Sequence, residues 1–244
     1  MIEKQTEIAT ADGNMTTFVF HPEDPGPYPV VLYLMDAPSI RPALKDMASR
    51  LATAGYYVLL PYLFYRGGPY REFGLSDEDM HARRDLMATV NRDGIVKDAE
   101  ALMDYAAKDP FAIADRFGCI GFCMSGRLVM ALAQRMPERT VAAASIHGGG
   151  LVVEDREDSP HLQIDQIQGE LYFGWADQDP TAPKSGIPII EKALENAGVK
   201  YRLDFMEGAY HGFAPPGGQR YDRQASEKHW ERVHDLFYRT LKVN

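Results

Sequence analysis

Gly121–Gly126 reads GFCMSG and continues an apolar run, RFGCIGF, from Arg116 to Phe122. The run reads as a strand. The residues that follow, Arg127–Met136, are apolar on most faces and read as a buried helix. A strand that turns at once into a helix around small residues has the form of a nucleophile elbow. Such a turn holds its central residue in an unfavourable backbone conformation. The positions two before and two after must be small, because strand and helix pass close together. Here they are Gly121 and Ser125, with Gly126 next, and the central residue is Cys123. Ser125 departs mildly from the G-x-S-x-G form. It is a poor nucleophile itself, because its own flanking positions would be Cys123 and the bulky Arg127. The helix that starts after Cys123 offers unpaired N–H groups and partial positive charge, which favour a thiolate. A lone cysteine in such a turn is more often a buried structural thiol, so its partners decide the reading.

Outward from the turn, strands alternate with helices. Residues 5–20 form two strands joined at Asp12-Gly13-Asn14. Pro29–Met35 (PVVLYLM) and Tyr56–Phe64 (YYVLLPYLF) are continuous apolar runs, as strands buried on both faces require. Leu44, Met47, Ala48 and Leu51 recur at helical spacing before Gly55. A glycine-rich, charged stretch at 66–79 reads as a long, lid-like loop. Residues 78–107 read as helix with a break near Asn91–Gly94. VAAASIHGGG and GELYFGWA are further strands, Lys184–Ala197 a helix closed by Gly198, KYRLDFM a last strand alternating Tyr201, Leu203 and Phe205, and 224–241 a closing helix. This order predicts an α/β fold: a mostly parallel sheet of seven to eight strands with helices on both faces. The whole of 1–244 is expected to be one domain. Ligands of such sheets bind beyond the carboxyl ends of the strands. The loops after Met35 and Trp175, the turn at Cys123 and His211 therefore share an edge.

The chain has 244 residues, 45% hydrophobic and 25% charged, with a net charge of -9. That charge disfavours nucleic acid and anionic membrane surfaces as partners. No apolar run approaches the ~18 residues of a membrane span, and the amino-terminal stretch lacks a signal-peptide pattern. The two cysteines, Cys119 and Cys123, are placed against a mutual disulfide by a strand-then-turn geometry. A cytoplasmic protein with free thiols is expected. No metal pattern is present, His147 and His161 being isolated.

A nucleophile of this kind is followed along the chain by an acid and then a histidine. GWADQDPTAP supplies the acid, Asp177 or Asp179, and Asp179 is preferred because Pro180 and Pro183 shape its turn. YHGF supplies His211 after the last strand. His229 and His234 lie in the closing helix and are expected to face solvent. His147, in HGGG, imitates an oxyanion loop but follows the nucleophile, and reads as a strand end near the site. The N–H of Met124 is one expected oxyanion donor, and the Asp36–Ala37 loop the source of the other, through Ala37.

VVLYLMD, GYYVLLPYLFYR, GFCMSG, ADQDPTAP and AYHGF occur in the order found in the dienelactone hydrolase family of α/β-hydrolases, which the chain resembles over nearly its whole length. The resemblance implies a Cys–Asp–His triad at Cys123, Asp179 and His211, no cofactor, and small esters or lactones as substrates. Two positions depart from it. Asp36 stands where dienelactone-opening members carry a glutamate that meets the resting thiol. Pro215 stands where they carry a substrate arginine four residues after the histidine. Arg66 and Arg84, with Asp36 and Tyr65, are the candidate substrate contacts; Arg83, Arg220 and Arg223 are further arginines nearby, and Tyr70 and Phe73 are candidate lining residues in the loop.

The expected activity is hydrolysis of small esters or lactones through an acyl-enzyme, by a monomer or homodimer. The rivals are a thioesterase or acyltransferase on the same triad, a non-catalytic binding or sensing member of the fold, and a redox role for Cys123 with Cys119 resolving. The last is disfavoured because Cys119 should point into the sheet.

Overall fold

The structure is a computed structural model that describes residues 1–74 and 76–242; Leu75, in the expected 66–79 loop, lies outside the described residues. Its strands are β1 (Ile2–Thr10), β2 (Gly13–His21), β3 (Tyr28–Leu34), β4 (Tyr57–Pro61), β5 (Ala112–Phe122), β6 (Thr140–Ile146), β7 (Glu170–Gln178) and β8 (Tyr201–Tyr210). Its helices are α1 (Pro42–Thr53), α2 (Asp77–Met87), α3 (Arg92–Ala106), α4 (Gly126–Arg135), α5 (Gly186–Ala197) and α6 (Arg223–Phe237). The strands form one sheet in the order β1-β2-β4-β3-β5-β6-β7-β8. β1 and β2 pair antiparallel, as do β2 and β4, whereas β3/β4, β6/β7 and β7/β8 are parallel. Among the described residues no helix is long and apolar enough to cross a membrane.

The chain divides into two compact units, Met1–Phe117 and Gly118–Asn244. In the first, Val30–Leu34 of β3 and Tyr57–Leu60 of β4 are fully buried, which is why both strands read as unbroken apolar runs. α1 begins at Pro42 and buries the Leu44, Met47, Ala48, Leu51 stripe. The expected loop is shorter than 66–79, because Ser76 caps α2 by accepting from the Asp79 N–H at 3.1 Å. Its aromatic residues are packing anchors. Tyr70 meets Phe18 and Tyr62 edge-on, each at 5.3 Å between centroids, and Phe73 meets Phe64 at 6.5 Å. Asn91 caps α3, its side-chain oxygen accepting from the N–H groups of Asp93 and Gly94.

In the second unit α4 buries Leu128–Gln134 without a break, and Gly198 closes α5 in the left-handed conformation, φ 67°. β8 alternates as expected, but Tyr201, Leu203 and Phe205 are half-buried while Asp204 and Met206 are buried. Asp204 tolerates burial because Arg232 reaches it at 3.1 Å and Arg202 at 3.3 Å. The expectation for His229 is overturned: it is fully buried. It lies on the Ala225, Ser226, His229, Trp230, Val233 stripe of α6, and its ring packs against Phe122, Phe213 and Trp230. Helical spacing, rather than the polarity of imidazole, decides its side. His234 is half-buried and stacks on Trp230 at 5.6 Å.

Candidate active site

Four residues of the second unit stand immediately after the ends of four successive strands. Cys123 follows β5, His147 follows β6, Asp179 follows β7 and His211 follows β8. Parallel strands deliver their next residues to one edge, and the register shows it. Gln178 pairs with Tyr210, past a shift at Ala176/Gln178, so Asp179 and His211 leave their strands side by side.

Cys123 has φ 55°, a left-handed backbone in a residue that carries a side chain. The surrounding glycines are there for space. A Cβ on Gly121 would lie 2.4 Å from the Ser125 carbonyl oxygen, and one on Gly126 would lie 2.4 Å from Gly148 Cα. Strand, turn and the 147–149 segment thus pack backbone against backbone. Cys123 and Met124 open a single 3-10 turn that runs into α4.

His211 spans the gap between sulfur and carboxylate. Its Nε2 lies 3.0 Å from Cys123 Sγ and its Nδ1 lies 2.5 Å from Asp179 Oδ2. Burial works against the imidazolium, but the hydrogen bonds to Asp179 and Cys123 and their charges outweigh it and raise the His211 pKa to about 10. Asp179 is held below the usual carboxylate range: burial pushes it up, and the bonds from His211 and Thr181 pull it further down. Its second oxygen accepts from both the N–H and the hydroxyl of Thr181, at 2.8 and 2.7 Å. Asp177 is exposed to other work, accepting from the Gly208 N–H at 2.9 Å. Cys119 is buried, and burial pushes its thiol pKa up; both cysteines are free.

Asp36, Tyr65 and Arg66 lie in the first unit, and their polar ends are engaged there. Asp36 is buried and receives both terminal nitrogens of Arg41, at 2.6 and 2.8 Å. Tyr65 donates its hydroxyl to Asp98 at 2.7 Å, and Arg66 forks onto both oxygens of Asp98 at 3.0 and 2.7 Å. These two are built into a buried network. Arg84 is exposed on α2, and Ala37 is half-buried in the loop after β3. Met124 is buried in the 3-10 turn.

Two site residues carry no label in the sequence reading as supports. Thr181 was findable, since an Asp two residues before a Thr is a common local turn with the side chain bonded to the later N–H. His147 was not, because its partner is 24 residues away: its Nδ1 accepts the Cys123 N–H at 3.2 Å.

A sheet of this order, with an elbow after β5 and an acid and a histidine after the last two strands, is that of an α/β-hydrolase. The profile of the dienelactone hydrolase family matches residues 15–241, and the chain belongs to that family. It is 30% identical over 227 residues to a Synechocystis protein named "Putative carboxymethylenebutenolidase", with 92% of each chain covered. It is 24% identical to a protein of Escherichia coli K12 of the same name, over 95% of this chain and 85% of that one. The crystal structure of a "Putative Dienelactone Hydrolase" from Klebsiella pneumoniae superposes with a TM-score of 0.85 at 23% identity, over 97% of this chain and 98% of that one. The chain is a dienelactone hydrolase-like hydrolase.

Proposed function

We propose that this hydrolase opens small esters and lactones through a thioester on Cys123, with His211 and Asp179 completing the triad. The observation that carries the reading is the single imidazole held between Cys123 Sγ and Asp179 Oδ2. The names of the relatives support lactones as the substrate class.

In this mechanism the resting pair is a Cys123 thiolate beside a His211 imidazolium. Sulfur attacks the carbonyl carbon, a C–S bond forms, and the carbonyl electron pair moves to oxygen. The Met124 N–H stabilises that oxyanion. The pair returns, the C–O bond to the leaving oxygen breaks, and His211 Nε2 delivers its proton to that oxygen. In a lactone the leaving group stays attached as the opened chain. Water then attacks the thioester, His211 Nε2 takes its proton, and the C–S bond breaks to restore the thiolate and the imidazolium. Asp179 remains a carboxylate throughout, orienting the ring through Nδ1. Asp179 is itself fixed by Thr181, so the ring inherits a defined plane. A thiolate beside an imidazolium is a good leaving group, so the enzyme is expected to favour activated acyl groups such as enol lactones and aryl esters. The two units are proposed to act as one domain, in the cytoplasm, as monomer or homodimer.

The test is rapid mixing with an activated aryl ester followed by intact-protein mass measurement. The expected result is a transient adduct of the acyl mass on wild type and none on Cys123→Ala. Equal turnover by the alanine variant would sink the reading.

A further inference from the structure

His147 is an expensive residue for its position. It is 1% exposed, and its Nε2 is buried without a hydrogen-bond partner. Its ring is walled by aromatic rings: Phe213 at 5.1 Å and His211 at 5.3 Å edge-on, and Phe122 tilted at 5.9 Å between centroids. A phenylalanine or leucine would fill such a place with no stranded polar atom. The imidazole must therefore supply something that they cannot. What it supplies is an acceptor, since Nδ1 takes the N–H of Cys123 at 3.2 Å.

That N–H belongs to the residue most in need of restraint. Cys123 sits at φ 55° and His147 at φ 39°, both with side chains in the left-handed region. The two strained residues are tied to each other and to the sheet. The Cys123 carbonyl accepts from the Gly149 N–H at 3.1 Å, and the His147 N–H donates to the Gly174 carbonyl at 2.8 Å. The elbow is thus pinned on both faces of its peptide by one short segment, the side chain taking the N–H and the backbone taking the carbonyl. Gly148 lets the segment approach, since a Cβ there would lie 2.2 Å from Ser145 Oγ.

We propose that His147 is a positioning residue for the thiolate: as a neutral imidazole with its proton on Nε2, it fixes the Cys123 backbone so that Sγ stays on His211 Nε2. The proposal rests on Cys123 being the nucleophile. The neutral state is enforced by the surroundings. Burial lowers the His147 pKa well below the usual imidazole value, and the charges of His211 and His229 lower it further. A protonated His147 would turn Nδ1 into a donor facing the Cys123 N–H and would release the elbow. An acceptor of the same reach should replace it. Asn places Oδ1 close to where Nδ1 stands, whereas Phe keeps the ring and removes the acceptor.

The experiment compares His147→Asn and His147→Phe with wild type in aryl-ester turnover and in iodoacetamide alkylation of Cys123, with Cys123→Ala as the control. Phe is expected to lower kcat and the alkylation rate by about 10- to 100-fold with KM within about twofold, and Asn to stay within about threefold of wild type in both, the size a small misplacement of a reacting group produces. A folded Phe variant with wild-type rates would overturn the proposal, and so would an Asn variant as impaired as Phe. Should Phe not fold, long-range nitrogen NMR of wild type decides. An unprotonated Nδ1 coupled to the Cys123 N–H supports the proposal, and a protonated Nδ1 overturns it. Turnover by Cys123→Ala would instead remove the nucleophile reading beneath it.

Discussion

Each unit contains a buried polar knot, and the two differ in what they leave unsatisfied. In Met1–Phe117, Arg66 and Tyr65 converge on Asp98. The guanidinium also reaches Asp12 at 2.9 Å and lies over the Tyr65 ring at 4.6 Å, and the Tyr65 hydroxyl meets Thr10 at 2.9 Å. Every charged group there has an opposite charge against it, and the phenol is pushed further from ionising by burial. In Gly118–Asn244, His211 lies between Asp179 and Cys123, and the sulfur that completes the chain is half-buried rather than sealed. The first knot is closed in charge, since Asp98 and Asp12 both meet the Arg66 guanidinium, although its Asp12 end is exposed. In the second the terminal sulfur lies beside the His211 ring and belongs to a half-buried residue, which is the feature the proposed mechanism uses.

The comparison breaks most sharply at the open end. Cys123→Ala is expected to lower aryl-ester turnover by at least about 10^4-fold, as removal of a nucleophile does, while the thermal unfolding midpoint moves by only a few degrees. Asp179→Asn is expected to lower kcat by about 10^3-fold, since the amide no longer anchors the ring in its charged form. Steady-state rates at matched folded concentration check both. At the closed knot the result inverts. Asp98→Ala leaves Arg66 with Asp12 as its opposite charge, beside the Gly94 carbonyl and the Tyr65 ring, and is expected to cost about 3 kcal/mol in urea unfolding, with the activity of the folded fraction within about twofold of wild type. A loss of kcat without a loss of stability at Asp98 would erase the distinction.

The elbow was legible in the sequence because its demands are steric. Small residues at Gly121 and Gly126 are required by backbone contacts that any sequence for this turn must allow. The meeting of Asp179 and His211 was legible because each is the first residue after its strand, and adjacent parallel strands leave them little choice. His229 was misread because a polar residue on an amphipathic helix is assigned outward, whereas its spacing from Ser226 and Val233 puts it on the buried stripe. Tyr65 and Arg66 read as free to meet a ligand because the carboxylate that holds them, Asp98, lies on a helix more than thirty residues on. No local pattern announces a pairing of that range.

The pH dependence of stability sharpens the comparison further. His211 has a folded pKa near 10 against about 6.5 in an unfolded chain. Folding therefore takes up a proton between those values. The stabilisation from the charged ring is complete below about pH 6.5 and is lost as the pH rises through 10. Asp179 runs the other way: its pKa is lowered, so its share is present above the unfolded carboxylate value of about 3.9 and is lost as the pH falls. The unfolding midpoint of wild type relative to His211→Gln is expected to be highest between about pH 4.5 and 6.5 and to converge with it near pH 10. A flat difference would mean that the ring is neutral in the resting enzyme.

The smallest effect expected is at Thr181. Its hydroxyl and N–H both bond the Asp179 oxygen that His211 does not use. Thr181→Val removes the hydroxyl bond, keeps the shape and retains the N–H bond. One hydrogen bond to a charged group contributes roughly 1.5 kcal/mol, which corresponds to about tenfold in rate if it is expressed wholly in holding the acid. Because the N–H still holds the same oxygen, the loss in kcat is expected to be smaller, about three- to fivefold, with KM unchanged. The His211 titration midpoint, followed by NMR, should move upward. Without the hydroxyl donor the Asp179 carboxylate is more basic and holds the imidazolium proton more strongly, while it orients the ring less firmly. A fall in kcat with no movement of that midpoint would place Thr181 in the turn alone, outside the chain of support that runs through Asp179 and His211 to the sulfur.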